Sequence, residues 1–349
     1  MSTTRRTPVA SARAAHYVAN SPGLATPAVT PAPIRALPID TAGATEGVVE
    51  NGRERTCVVR GRRLAYLEWG PSDAPPVVMI HGILDQALTW DLVAQHLVSL
   101  GHRIIAPDLR GHGLSAHNEG SEGYSLLSFC ADLADLAEHL RLDHFVLAGH
   151  SLGSLVSVVY ASCFPQRVAG LVLLETIILT GLGKPDIREH LRQDVEYMRG
   201  EHSHRSIPSL DMAVKLIRLG SPGLTQDHAR RLCERGTRVE GSKLVWRWDP
   251  ILRTRVGLRF PGLRAQYVQM LREIAVPVRL VFGRRSNFNC AEDVEELLAA
   301  FPRCDAEYVE GGHNVHFDDP RVVVMAIHSM VHRVGAEVAG DPAALGMAQ

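Results

Sequence analysis

The chain places a serine between two glycines at Gly149-His150-Ser151-Leu152-Gly153. The apolar run Phe145-Val146-Leu147 precedes it, and Leu155-Val156-Ser157-Val158-Val159-Tyr160 follows. A β-type run, a sharp G-x-S-x-G turn and then a helix present a serine hydroxyl as a nucleophile above a sheet. The residue on such a turn has a strained backbone, so its neighbours two positions away must be small. The next amide, that of Leu152, then points toward whatever the hydroxyl attacks. A serine hydroxyl is a poor nucleophile at neutral pH and needs an adjacent base. His313 and His316 are the candidates, because the tight turn that Gly311-Gly312 permits delivers a side chain to a site.

These residues need a scaffold, and from about residue 55 the chain alternates strands and helices. Arg55 to Trp69 reads as two β runs broken at Gly61. Val77–Ile80 reads as a buried strand ending in His81-Gly82, and Thr89–Leu100 as a helix stopped by Gly101. Ile104–Pro107 is the next strand, followed by the loop Asp108-Leu109-Arg110-Gly111-His112-Gly113. Ser125 caps a helix to about Leu140, with Leu126, Phe129, Leu133, Leu136 and Leu140 on one face. After the serine turn come a helix to about Phe164 and the strand Leu171–Glu175. Continuous apolar strands separated by helices predict a mostly parallel sheet covered on both faces.

The alternation breaks over 179–262, which is charged, helical in period and nearly free of strand runs. Helices are expected at 186–199, 209–219 and 225–235, forming a helical cap inserted after strand six and above the strand ends. Tyr197, Met198, Trp246 and Trp248 either line a substrate cavity or pack this cap onto the core. A helix around 263–273, a strand Val278–Phe282, a helix over 291–300, a strand from Ala306 to Glu310 and a helix over 319–333 complete the core. The expected division is a disordered tail over 1–50, core over 51–178 and 263–336, cap over 179–262, and a flexible tail over 337–349.

Composition narrows the class. Of 349 residues, 46% are hydrophobic and 21% charged, which is ordinary for a globular protein. A net charge of -1 gives no global field for nucleic acid or an acidic membrane surface. Six cysteines are scattered with no C-x-x-C pair, so reduced thiols in a cytoplasmic protein are expected rather than a disulfide framework or a zinc site. Arg5-Arg6 is not followed by an apolar leader segment, and no run approaches a membrane span. No metal or organic cofactor is implied, and no sustained heptad marks an oligomer.

Over residues 55–335 the sequence resembles the α/β-hydrolase superfamily with a helical cap. The resemblance rests on ordered motifs: His81-Gly82 after the third strand, Asp108-Leu-Arg-Gly-His-Gly113 after the fourth, the serine turn, Gly283 after the seventh and Gly312-His313 after the eighth. It implies Ser151 as nucleophile, His313 rather than His316 as base, and the amides of Ile83 and Leu152 as oxyanion donors. His81, His112 and His150 would hold loops in place. Most relatives carry an acid about three residues past the glycine of strand seven. Here that stretch reads Gly283-Arg284-Arg285-Ser286-Asn287-Phe288, without a carboxylate. Some members carry the acid at the end of strand six, as Glu, and Glu175 matches that position. Asp293, in the following helix, is the alternative.

Serine at position 151, and Leu152 where dehalogenases keep a tryptophan, set this chain apart from the dehalogenases and epoxide hydrolases of the fold. The implied chemistry is acyl transfer to water on a small-molecule ester, lactone or thioester. Cleavage of a C–C bond by the same machinery is an alternative reading. A non-catalytic ligand-binding protein of the same fold is another.

Overall fold

The computed structural model describes residues 52–118, 124–178, 202–253 and 264–339, with 192, 195, 196, 199 and 200. The tail expected over 1–50, most of the helix expected at 186–199, and Tyr197 and Met198 lie outside the described residues. Everything described belongs to one unit, Val48–Gln349.

An eight-stranded sheet organises that unit. Its strands are β1 (Arg53–Val59), β2 (Arg62–Trp69), β3 (Pro76–Ile80), β4 (Arg103–Pro107), β5 (Phe145–His150), β6 (Val168–Leu174), β9 (Val278–Gly283) and β10 (Cys304–Val309). The spatial order is β1-β2-β4-β3-β5-β6-β9-β10. β1 and β2 form an antiparallel hairpin, β2 runs antiparallel to β4, and the rest pair in parallel. Arg60 and Gly61 both take positive φ at the hairpin turn, the conformation a two-residue hairpin demands.

Period-two alternation divides the core between the faces. Val78 and Ile80 of β3 join one apolar cluster, and Val77 and Met79 join the other. On the first face lie α2 (Leu126–His139), α3 (Leu152–Cys163), α6 (Arg264–Arg272) and α7 (Ala291–Ala300); on the second lie α1 (Asp91–Ser99) and α9 (Pro320–Ala339). Ser125 and Ser128 cap α2 reciprocally, each hydroxyl accepting the other's amide at 3.1 Å. α9 is long and apolar enough by composition to span a bilayer, yet Val323, Val324, Ile327 and Met330 lie buried in the second cluster. It also runs past residues 333 and 337, where the helix end and the tail boundary were expected, because Ala336 and Ala339 are good helix formers and Glu337 pairs with Arg303 and Arg333.

Between β6 and α6 the chain builds α4 (Leu210–Gly220), α5 (Gln226–Gly236) and a small hairpin of β7 (Thr237–Glu240) and β8 (Lys243–Trp246). The helices match the sequence pattern, with Ser209 and Thr225 as their caps. The hairpin corrects the expectation of a segment nearly free of strands. Its strands are four residues each, and Arg238, Glu240 and Lys243 dilute the apolar alternation below recognition. The signal that was present is the two-residue gap with Gly241 at positive φ.

One buried ion pair ties this insertion to the core. Arg235 of α5 donates to both carboxylate oxygens of Asp108, at 3.0 and 2.8 Å. Asp108 is fully buried and also accepts from the amides of Ala87 and Leu114. Removing one partner of such a pair leaves an uncompensated buried charge. Arg235→Ala is therefore expected to destabilise the fold by about 3–5 kcal/mol. Arg230→Ala, which loses only an exposed pair with Asp211, is expected to cost less than about 1 kcal/mol. Urea unfolding of the two variants checks the contrast.

Candidate active site

The serine turn sits at the carboxyl end of β5, in the middle of the sheet. Ser151 has φ 52° and ψ −114°, a region that costs a non-glycine residue on the order of 1–3 kcal/mol. Its surroundings enforce that geometry. The Ser151 amide donates to the Leu174 carbonyl at 2.9 Å, while its own carbonyl accepts from the Ser154 amide at 3.0 Å. A Cβ on Gly149 would strike the Gly153 carbonyl, and one on Gly153 would strike that of Ile80. The two glycines thus let α3 start hard against the strands. Leu152, the first residue of α3, has an amide with no carbonyl one turn back to receive it. Gly82 lies beside Ser151, since a Cβ built on it would be 3.6 Å from the serine Cβ. The Gly82-Ile83 segment therefore lies next to the serine as well.

Glu175 follows β6 directly, at φ 53°, and is 1% exposed. Its Oε1 accepts from the Gly283 amide at 2.6 Å. Its Oε2 accepts from His313 Nδ1 at 3.0 Å, from Asn289 Nδ2 at 3.0 Å and from the Ser286 hydroxyl. Because a carboxylate only accepts, His313 carries its proton on Nδ1, leaving Nε2 as the basic nitrogen. Asp293 is elsewhere: it sits on α7 and pairs with Arg264 at 2.7 Å.

Three further residues around the imidazole escaped the sequence reading. Ser286 stands three residues past Gly283, where the family resemblance would place an acid, and donates to Glu175 on the neighbouring strand. Asn289 does the same from three residues on. Phe288 stacks on His313 with ring centroids 3.9 Å apart and 28° between planes, though it is 60% exposed. The serine at the position of the usual acid was the one legible sign.

The motif histidines hold loops. His81 Nε2 accepts from the Leu109 amide at 3.0 Å, while its Nδ1 donates to the Gly82 carbonyl at 2.7 Å. His112 Nδ1 bonds the Arg110 carbonyl at 3.1 Å. His150 Nε2 donates to the His313 carbonyl at 2.9 Å and so fixes the turn that carries that residue. His316 is fully buried, bonds Thr89 through Nε2 at 2.9 Å, and packs on His150 with centroids 4.6 Å apart.

A cavity of about 450 Å³ opens beside this cluster. Ile83 and Asp85 line it from the core, Leu216, Trp246 and Trp248 from the insertion, and Phe317 from the turn α8 (Val315–Asp318). The two tryptophans line this cavity and each also packs on an apolar cluster. Desolvation raises the Asp85 carboxyl to about 7, against hydrogen bonds from Thr89 and the Gln86 amide.

Comparison with known proteins agrees with this architecture. The family model for the α/β-hydrolase fold matches residues 75–201. The thioesterase domain from the curacin biosynthetic pathway superposes with a TM-score of 0.75 at 32% identity, over 80% of this chain and 99% of that domain. The chain belongs to the α/β-hydrolase superfamily. Esterase Rv0045c of Mycobacterium tuberculosis is 29% identical over 276 residues, 78% of this chain and 88% of that protein. Human serine hydrolase-like protein 2 is 26% identical over 77% of this chain and 90% of its own length. This α/β-hydrolase is an enzyme of the hydrolase class.

Its buried histidines set an acid limit. Burial lowers His81 to about 4 and His316 to about 3, from 6.5. Burial, with His316 and His313 nearby, also lowers His150 well below 6.5. A depressed folded pKa contributes stability that is complete above 6.5 and is lost as pH falls toward the folded value. The melting temperature is expected to fall steeply between pH 6.5 and 4, and less so in His316→Gln. Scanning fluorimetry across that range checks it, and parallel wild-type and variant curves would contradict it.

Proposed function

We propose that the chain is a serine hydrolase that cleaves carboxylic esters, with thioesters and lactones as the same reaction class. The observation that carries the reading is the 3.0 Å hydrogen bond from His313 Nδ1 to Glu175, at a site where Ser151 occupies a strained turn. Ser151 attacks the acyl carbonyl while His313 Nε2 takes its proton. The negative oxygen of the tetrahedral intermediate is met by the amides of Ile83 and Leu152, a stabilisation of about 2.7–4 kcal/mol per donor in comparable sites. His313 returns the proton to the leaving alcohol or thiol, and water then deacylates Ser151 by the same route reversed. Glu175 holds the imidazole in its Nδ1–H form and stabilises imidazolium.

The apolar lining contributed by Leu216, Trp246, Trp248 and Phe317 fits an aliphatic or aromatic acyl group. The relatives' names, an esterase and a thioesterase domain, agree with acyl transfer. In this reading the insertion acts as the lid that shapes substrate choice.

A fluorophosphonate probe and p-nitrophenyl esters of increasing acyl length test the proposal. Wild type is expected to label and turn over, and Ser151→Ala to do neither. Equal labelling of Ser151→Ala, or no labelling of wild type, overturns it. Glu175→Gln is expected to lower kcat by about 10³–10⁴-fold, by analogy with loss of the triad acid elsewhere. Asp293→Asn should change kcat less than about twofold, because its loss removes only a half-exposed surface pair.

A further inference from the structure

Behind the serine turn, three side chains that the hydrolytic reading does not use for chemistry converge. One ligand atom from each of Asp85, His150 and His316 lies within 4.8 Å of the others. They come from the loop after β3, the end of β5 and the turn α8, so no sequence motif announces them. His150 is 3% exposed and His316 0%.

The hydrogen bonds show which nitrogen of each ring is left over. His150 Nε2 faces the His313 carbonyl at 2.9 Å. A carbonyl only accepts, so that nitrogen carries the proton and Nδ1 of the neutral ring is bare. Thr89 bonds both the Asp85 carboxyl and His316 Nε2, the latter at 2.9 Å, so Nδ1 is the ring nitrogen of His316 left over. Both Nδ1 atoms are buried and neither has a hydrogen-bond partner. Two buried ring nitrogens without a partner, beside a carboxyl group, are a costly arrangement unless something electropositive joins them.

We propose that Asp85, His150 and His316 form a binding site for a divalent transition-metal ion of the zinc class. Two imidazoles and one carboxylate are ligands suited to zinc, copper or nickel rather than magnesium. Donor atoms no more than 4.8 Å apart have a common centre within 4.8/√3, about 2.8 Å, of each. Movements of several tenths of an ångström then reach the ~2.0–2.2 Å that zinc prefers. The His313 carbonyl and Thr89 hydroxyl are already in place as the outer partners that orient metal-binding imidazoles. Asp85 lines the cavity, which supplies an entry path and a fourth, open position.

The ion would sit against both halves of the hydrolytic machinery. His150 adjoins Ser151 and holds the His313 turn; Asp85 is two residues from Ile83. Drawing these three segments together displaces the Ile83 amide and the His313 turn, so occupancy suppresses hydrolysis. This consequence rests on the serine-hydrolase reading; the site itself does not.

Calorimetric titration of the EDTA-treated full chain with Zn²⁺ tests the site directly. Wild type is expected to take up one zinc ion per chain more than Asp85→Asn or His316→Gln, and Mg²⁺ to give no such event. His328→Gln, which alters the separate cluster of His102, His328 and His332, should keep it. Zn²⁺ should also raise the melting temperature of wild type but not of Asp85→Asn, whose near-isosteric change preserves the fold in EDTA. Identical isotherms for wild type and Asp85→Asn overturn the site, as does an absence of zinc uptake, which would mean that water alone serves the two nitrogens. In parallel, zinc should reduce p-nitrophenyl ester turnover by at least ~10-fold, the scale on which metal-site perturbations register, and EDTA should restore it. Zinc bound without loss of turnover overturns the inhibitory coupling and leaves the site standing.

Discussion

The carboxylate of Glu175 is the point on which the active-site geometry depends. Four donors converge on it: the Gly283 amide ending β9, Ser286 and Asn289 from the loop that follows, and His313 from beyond β10. A charge that is 1% exposed survives burial only when its lone pairs are met, and here both oxygens are. The cost of burying it is thus offset by the same bonds that bring three strand ends into register. The neighbouring bond from the Ser151 amide to the Leu174 carbonyl ties the serine turn to the same strand. Ser151, His313 and Glu175 are thus all anchored along one seam of the sheet.

Glu175 reaches the imidazole of His313 from the end of β6, the strand beside β9. A shorter side chain at the end of β9 would reach the imidazole directly. From the next strand a longer glutamate does so, and the loop after β9 supplies donors to it. Ser286 and Asn289 are neutral, so they steady Glu175 without competing with His313 for its charge. Phe288, stacked on the imidazole and largely exposed, covers the ring from the solvent side.

Much of this was legible in the sequence, and the reasons are local. Continuous apolar runs separated by helical periods marked the central strands β3, β4, β5 and β6, because strands buried on both faces have no polar alternation to confuse them. Gly149 and Gly153 marked the serine turn because backbone contact there excludes a Cβ. The hairpin of β7 and β8 was missed because its strands are short and charged, so that pairing rather than pattern makes them strands. The donors around Glu175 and the cluster of Asp85, His150 and His316 were missed for a different reason. Each depends on residues more than 60 positions apart meeting at a strand end, and no spacing rule encodes that.

The central claim is that Glu175, and not an acid on the helix after β9, fixes the tautomer of His313. The Nδ1 proton of that ring is visible by NMR as a far-downfield resonance when it is held by a carboxylate. The account predicts this resonance in wild type and in Asp293→Asn, and its loss or large upfield shift in Glu175→Gln. An unchanged resonance in Glu175→Gln would contradict it.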